Sequence, residues 1–179
     1  SREALIDDQN LLGLDRWDAT PGVNRYTVGN GVSLEYAGDQ MRFWGQVTNY
    51  AGNSAEANDS RYNFTARLEY MVEGTWGQFD EFTSVDGGAA GTLLGISYSR
   101  VNSNDDDNDD KDSTLTVDAQ LQFGGSNLYV SYGDHDDNVG NNSNKNTKVQ
   151  YGMYLNSDWE VYGQYENNDV WTGDAVYSV

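Results

Sequence analysis

The sequence predicts an all-β protein laid out as an antiparallel, up-and-down meander, and three observations predict it. Apolar and polar residues alternate with period two along most of the 179 residues, the mark of strands with one apolar and one polar face. Short turns rich in Gly and Asn alternate with long polar stretches between those runs. Composition agrees: there are 20 Gly, 13 Tyr and 5 Trp, a single Pro and no Cys, and the mean hydropathy is -0.76. No apolar run is long enough for a transmembrane helix.

The elements follow in order. Residues 25–36 place Tyr26, Val28, Val32, Leu34 and Tyr36 opposite Arg25, Thr27, Ser33 and Glu35. Ala37-Gly38-Asp39 makes a tight turn, and Met41, Phe43 and Val47 begin the second strand. After the polar stretch 51–60, residues 61–72 set Tyr62, Phe64, Ala66, Leu68, Tyr70 and Val72 against Asn63, Thr65, Arg67, Glu69 and Met71. Leu94, Ile96 and Tyr98 mark the fourth strand. Beyond the acidic stretch 102–112, residues 114–123 alternate Leu115, Val117, Ala119, Leu121 and Phe123 with Thr116, Asp118, Gln120 and Gln122. Gly124-Gly125-Ser126 turns the chain into Leu128, Val130 and Tyr132. The third long stretch, 134–146, leads to Val149, Tyr151, Met153 and Leu155, and Asn156-Ser157 turns into Trp159, Val161 and Tyr165. Eight strands result between Arg25 and Glu166, with residues 170–179 offering a ninth.

One segment needs a decision. Trp76, Phe79 and Phe82 give residues 75–83 some look of a strand. A meander must keep its short turns at one end and its long loops at the other. A strand at 75–83 would move the loop 102–112 to the short-turn end, so residues 73–90 are read as one extended connection on the short-turn side.

A soluble sandwich is the ordinary reading of such alternation. Three features favour a membrane barrel. The runs of about 8–12 residues match the about 9–11 that cross a bilayer. Tyr26, Tyr36, Tyr62, Tyr70, Trp159 and Tyr165 lie near the ends of apolar faces, where interfacial girdles belong. Every charged residue in the strand cores except Arg100 lies opposite the apolar face. A lipid-facing Arg or Lys at mid-bilayer costs about 2–4 kcal/mol, although a sandwich would show this segregation too. If the apolar faces meet lipid, the opposite faces line a pore. Arg25, Arg42, Arg67 and Lys148 then stand against Glu35, Glu69, Asp118, Glu160 and Glu166, a nearly balanced wall.

Several segments together carry a resemblance. Ser1-Arg2-Glu3 followed by Leu14-Asp15-Arg16, then Gly31-Val32-Ser33-Leu34-Glu35-Tyr36, are similar to the middle of porins of the phosphate-selective O and P family. The stretch from Trp76-Gly77-Gln78-Phe79 through Asp80-Glu81-Phe82-Thr83-Ser84, with Leu93-Leu94-Gly95, resembles a motif of planctomycete-type members. Thr116-Val117-Asp118-Ala119, Phe123-Gly124-Gly125-Ser126-Asn127-Leu128 and Asp158-Trp159-Glu160-Val161-Tyr162 continue it in order. The resemblance implies a sixteen-stranded, usually trimeric channel in a bacterial outer membrane, of which this chain is the central to C-terminal portion. It implies that residues 1–24 form a segment inserted in the lumen as a constriction, with Arg2 and Arg16 as its basic groups. The ending Tyr177-Ser178-Val179, where such barrels close on a terminal aromatic, and the lack of a signal peptide at Ser1-Arg2-Glu3-Ala4 fit a portion of a longer protein. Phosphate selectivity does not transfer, because it relies on a lumen rich in Arg and Lys.

The charge pattern excludes other classes. With 29 acidic and 10 basic residues the formal net charge is -19, the reverse of a nucleic-acid footprint. Most of the excess lies in the loops. Asp105, Asp107 and Asp109 match the first ligands of an EF-hand, but Asp110 stands where Gly is required and Thr116 where a bidentate Glu belongs. Loose calcium binding there is one reading, a solvated, self-repelling loop the other. His135 has no second His or Cys with which to complete a site. Asp80 and Glu81 are adjacent on an extended chain and point to opposite faces, so they cannot flank one bond. Gly95-Ile96-Ser97-Tyr98-Ser99 lacks the last Gly of a nucleophile elbow, and Gly29-Asn30-Gly31 lacks the third Gly of a dinucleotide loop. The expectation is therefore no enzyme and no cofactor, but a porin in contact with outer-membrane lipid, passing small solutes and ions by diffusion. The alternatives are a surface structural or adhesive β-protein held by acidic loops, and a soluble carbohydrate-binding sandwich using Trp44, Trp76 or Trp171.

Overall fold

In the computed structural model residues 31–49, 62–80, 82–105, 108–137 and 142–168 are described, with 49, 101–105, 108–112, 137, 142 and 168 in backbone only. They form one antiparallel sheet of eight strands in sequential order: β1 (Gly31–Ala37), β2 (Met41–Asn49), β3 (Tyr62–Glu73), β4 (Ala90–Asp105), β5 (Asn108–Phe123), β6 (Ser126–Asp137), β7 (Asn142–Asn156) and β8 (Trp159–Asn168). Each strand pairs with the next, and β1 and β8 are the two edges, so the sheet is open. The all-β, up-and-down architecture expected from the alternation is what the chain adopts.

The turns obey the two-ended rule. Residues 38–40, 74–89, 124–125 and 157–158 connect strands at one end, and 50–61, 106–107 and 138–141 at the other. Local chemistry makes the short turns. Gly124 and Gly125 take φ of 69° and 117°, open to glycine without strain. At the last turn the Asn156 Oδ1 accepts the N–H groups of Asp158 at 2.9 Å and Trp159 at 3.1 Å, an Asx-type turn. β3 ends at Glu73 and the ladder resumes at Ala90, with only a 3-10 turn, Trp76–Asp80, between them. The extended connection read from parity is therefore correct.

Two loop boundaries need correction. The stretch 102–112 is largely strand, because β4 and β5 stay paired from Asn102↔Lys111 to Asp105↔Asn108. Likewise 134–137 and 142–146 belong to β6 and β7. The alternation signal vanishes once both faces of a hairpin are polar, yet its backbone groups gain as much from the ladder as before. Residues 51–60, the segment 1–24, the start of the first strand at 25–30 and residues 170–179 lie outside the described residues.

The two faces are used in the opposite sense to a soluble sheet. Among the described residues 24 large hydrophobic side chains are exposed and only five hydrophobic residues are buried. Val32 is 79% and Trp159 67% exposed, whereas Asn127 and Gln150 are fully buried. Asn63, Thr65, Ser97, Ser99, Thr114, Gln120, Gln122, Ser131, Asn146 and Lys148 are also buried. The few buried apolar groups (Met71, Phe79 and Leu93, with Trp76 against them) gather on the polar side, where segment 74–89 lies. Contacts from β2 through β8 converge on this short segment, so the polar face is the concave one.

Candidate channel lumen

Strand register determines which polar side chains meet. Arg42 on β2 lies opposite Glu69 on β3, Glu69 opposite Gly95 on β4, and Gly95 opposite Asp118 on β5. The row continues through Ser131 and Lys148 to Glu166 on β8. Arg67 comes from the next row up and reaches diagonally over Gly95. Its Nη1 and Nη2 donate to the two Asp118 oxygens at 2.7 and 2.9 Å, and its Nε to Glu69 at 2.9 Å. This bidentate fork is the strong form of an Arg–carboxylate pair. The Arg67 and Asp118 side chains are 7% and 5% exposed. Gly95 makes the reach possible: a Cβ there would fall on the Arg67 guanidinium and lie 2.5 Å from an Asp118 oxygen.

The other expected wall residues are placed as follows. Glu35 is exposed on edge strand β1, in register with Trp44. The Arg42 guanidinium sits 3.9 Å from the Trp76 ring centroid, a cation–π contact. Lys148 is buried between its register neighbours Ser131 and Glu166. Glu160 accepts a 2.8 Å hydrogen bond from the Thr83 hydroxyl, and Glu166 one of 3.3 Å from Asn146. All eight described wall residues lie on the polar face, and the structure joins Arg67, Glu69 and Asp118 directly. Arg2, Arg16 and Arg25 lie outside the described residues. So do Asp107 and the side chains of Asp105 and Asp109. No cluster of three His, Cys, Asp or Glu that could hold a metal occurs among the described residues. His135 is hydrogen-bonded to Thr114 at 2.9 Å.

Sequence reasoning left two features unseen. One is the Arg67–Asp118 bridge, whose only signal is the small residue at 95. The other is the docking of segment 74–89 on the concave face. Glycines betray it: a Cβ at Gly91 would lie 2.8 Å from Gln78 Nε2, and one at Gly124 would lie 2.6 Å from Gly88 O.

The apolar face is organised as a slanting band. Tyr98 pairs with Leu115, and Leu115 with Asp134. The tyrosine that closes the apolar run on β6 is Tyr132, two residues nearer the short turns. Tyr132 pairs with Thr147, and Thr147 with Asn167, yet the closing tyrosine on β8 is Tyr165, again two residues lower. At the opposite edge, register carries Tyr36 through Phe43, Leu68, Ile96, Val117, Tyr132 and Thr147 to Asn167. The aromatic of β8 nearest the short turns is Trp159, eight residues below Asn167 after seven strand steps. Both edges thus descend about one residue per strand. With about 3.4 Å per residue and about 4.8 Å between strands, such a drift tilts the strands by about 35–40° to the band's normal. Transmembrane barrels tilt theirs by about 35–45°.

Comparison with protein-family models, with curated proteins and with solved structures finds no match to this chain.

Proposed function

We propose that this chain forms part of the wall of an outer-membrane porin, a water-filled channel for passive diffusion of small solutes and ions. One observation carries the reading: the sheet is inside out, and its exposed apolar residues form a band of uniform slant. That band amounts to on the order of 1,500 Å² if each side chain leaves roughly half its surface uncovered, several times the largest patch of a typical soluble monomer. A flat slab of lipid accounts for its extent and its slant, because tilted strands cut by parallel planes give this stagger. A two-layer carbohydrate-binding sandwich would need a second sheet over that face. The resemblance to phosphate-selective O and P porins adds a sixteen-stranded wall, a trimer and a Gram-negative-type outer membrane to the reading.

The mechanism contains no chemical step. Bore and wall charge select among solutes. Among the described wall residues two arginines are already engaged, Arg67 by Asp118 and Glu69 and Arg42 by Trp76, which does not favour phosphate selectivity. Amide and hydroxyl groups supply most of the remaining surface. The test is reconstitution of the full protein in planar bilayers after detergent extraction. Discrete conductance steps are expected, together with heat-modifiable gel mobility. Release into aqueous buffer without detergent, as a surface adhesive protein would behave, overturns the reading.

A further inference from the structure

The segment between β3 and β4, residues 74–89, crosses the concave face from one side of the sheet to the other. At its start the Trp76 indole N–H donates to Gly38 O in the β1–β2 turn at 3.0 Å, and the ring covers Arg42 on β2. Phe79 packs on Met71 of β3 and Leu93 of β4. Gln122 of β5 donates to the carbonyls of Gln78 and Thr83 at 2.8 and 3.0 Å. Asn127 of β6 donates to Phe82 O at 2.9 Å, and the Phe82 ring meets Tyr129 edge-on at 4.9 Å. At the far side the Thr83 hydroxyl bonds Glu160 of β8, and Ser84 Oγ accepts the N–H groups of Gly124 and Gly125. Residues 76–84 therefore touch both flanks of the sheet at its short-turn end.

These contacts describe a fixture and not a lid. Phe79, Phe82 and Ser84 are buried, and the two phenylalanines are two of the five buried hydrophobic residues among the described residues. Glycines at 91 and 124 clear the seat beneath. The charge of the segment has one sign. Asp80, Glu81 and Asp86 lie within 74–89, which contains no Lys or Arg, and Asp80, Val85 and Asp86 are exposed. Arg42 of the wall is covered by the Trp76 ring. Acidic charge at a narrow aqueous passage with low-dielectric walls concentrates cations and repels anions.

We propose that residues 74–89 form a fixed sill across the short-turn mouth of the channel, and that its acidic surface makes it the element that favours small cations over anions. The proposal rests on the channel reading. The experiment uses the full protein in planar bilayers. Because this chain has no cysteine, Val85→Cys introduces its one thiol on the exposed surface of the sill, in a full protein kept free of other cysteines. Modification by an anionic or a cationic methanethiosulfonate, verified by mass, should lower single-channel current, and the cationic reagent should also shift the reversal potential in a KCl gradient toward anions. Asp86→Lys should lower the cation-to-anion permeability ratio at least about twofold, and Asp86→Asn by less. Heat-modifiable mobility of each variant shows that it has folded. If the unaltered protein conducts but complete thiol modification leaves its current unchanged, and Asp86→Lys leaves its reversal potential unchanged, the sill is overturned and the channel stands. If the folded, inserted protein does not conduct at all, the channel reading fails and the sill with it.

Discussion

An arginine moved step by step along the apolar face of β5 tests whether lipid lies against it. Leu115, Val117, Ala119, Leu121 and Phe123 share that face. The eight residue steps from Leu115 to Phe123, at about 3.4 Å each and a tilt of about 37°, cover about 22 Å along the band normal, close to the about 25 Å apolar band of outer-membrane barrels. Ala119 sits at the middle, flanked in register by Leu94 and Val130, and Leu115 and Phe123 lie about 11 Å to either side. Arg at each position, referenced to Ala at the same position, should cost about 2–4 kcal/mol at 119 and no more than about 1 kcal/mol at 115 and 123, with 117 and 121 between. The assay is urea unfolding of the full protein reconstituted in phosphatidylcholine vesicles, followed by tryptophan fluorescence. On a face bathed in water the same series would stay within about 0.5 kcal/mol throughout. A flat profile, or a maximum at either end, refutes both the lipid-facing reading and the tilt derived from the register.

Three further outcomes are expected from the same titration. Arg67→Met leaves Asp118 buried without its fork and should cost about 3–5 kcal/mol, part of which Arg67→Met with Asp118→Asn recovers; equal losses in single and double variants would show that the pair does not matter. Gly95→Val places a side chain where Arg67 and Asp118 meet, and should cost about 1–3 kcal/mol as overpacking. A variant as stable as the parent would place the fork elsewhere. Trp76→Phe keeps a ring over Arg42 but removes the donor to Gly38 O, an expected loss of about 0.5–1.5 kcal/mol, whereas Trp76→Ala should lose more; identical values would deny the ring a role.

Period-two alternation made the strands and their faces legible, because each strand in the band has one apolar, exposed side and one polar side. Tyr62 to Val72 and Leu115 to Phe123 announce themselves in this way. Parity alone assigned residues 73–90 to a connection. The same signal fails where its cause is missing: residues 102–105 and 108–112 pair as strands, yet show no alternation. The meeting of Arg67 with Asp118 was not legible, since it joins residues 51 apart through a register that no local pattern encodes. Trp76, Phe79 and Phe82 stood out as apolar residues in a polar stretch. Without knowing that Gly91 and Gly124 leave room for them, nothing indicated that they turn inward.

The position of residues 74–89 also orders events in time. Thr83 is tied to Tyr154 and Glu160, which follow it in the chain by 71 and 77 residues. Hairpins such as β4–β5 close locally and fast, whereas contacts at this separation must await large loop closures. The Thr83 end of the segment cannot take its seat until β7 and β8 have joined the sheet, although it is made before five of the eight strands. Docking of Thr83 on β7 and β8 is therefore a late event of assembly, whereas the Trp76 indole meets Gly38 and Arg42, which precede it in the chain. The difference in fluorescence between the parent and Trp76→Phe during refolding is a clock for the earlier seating against β1 and β2, from which the lag to the complete sheet is read.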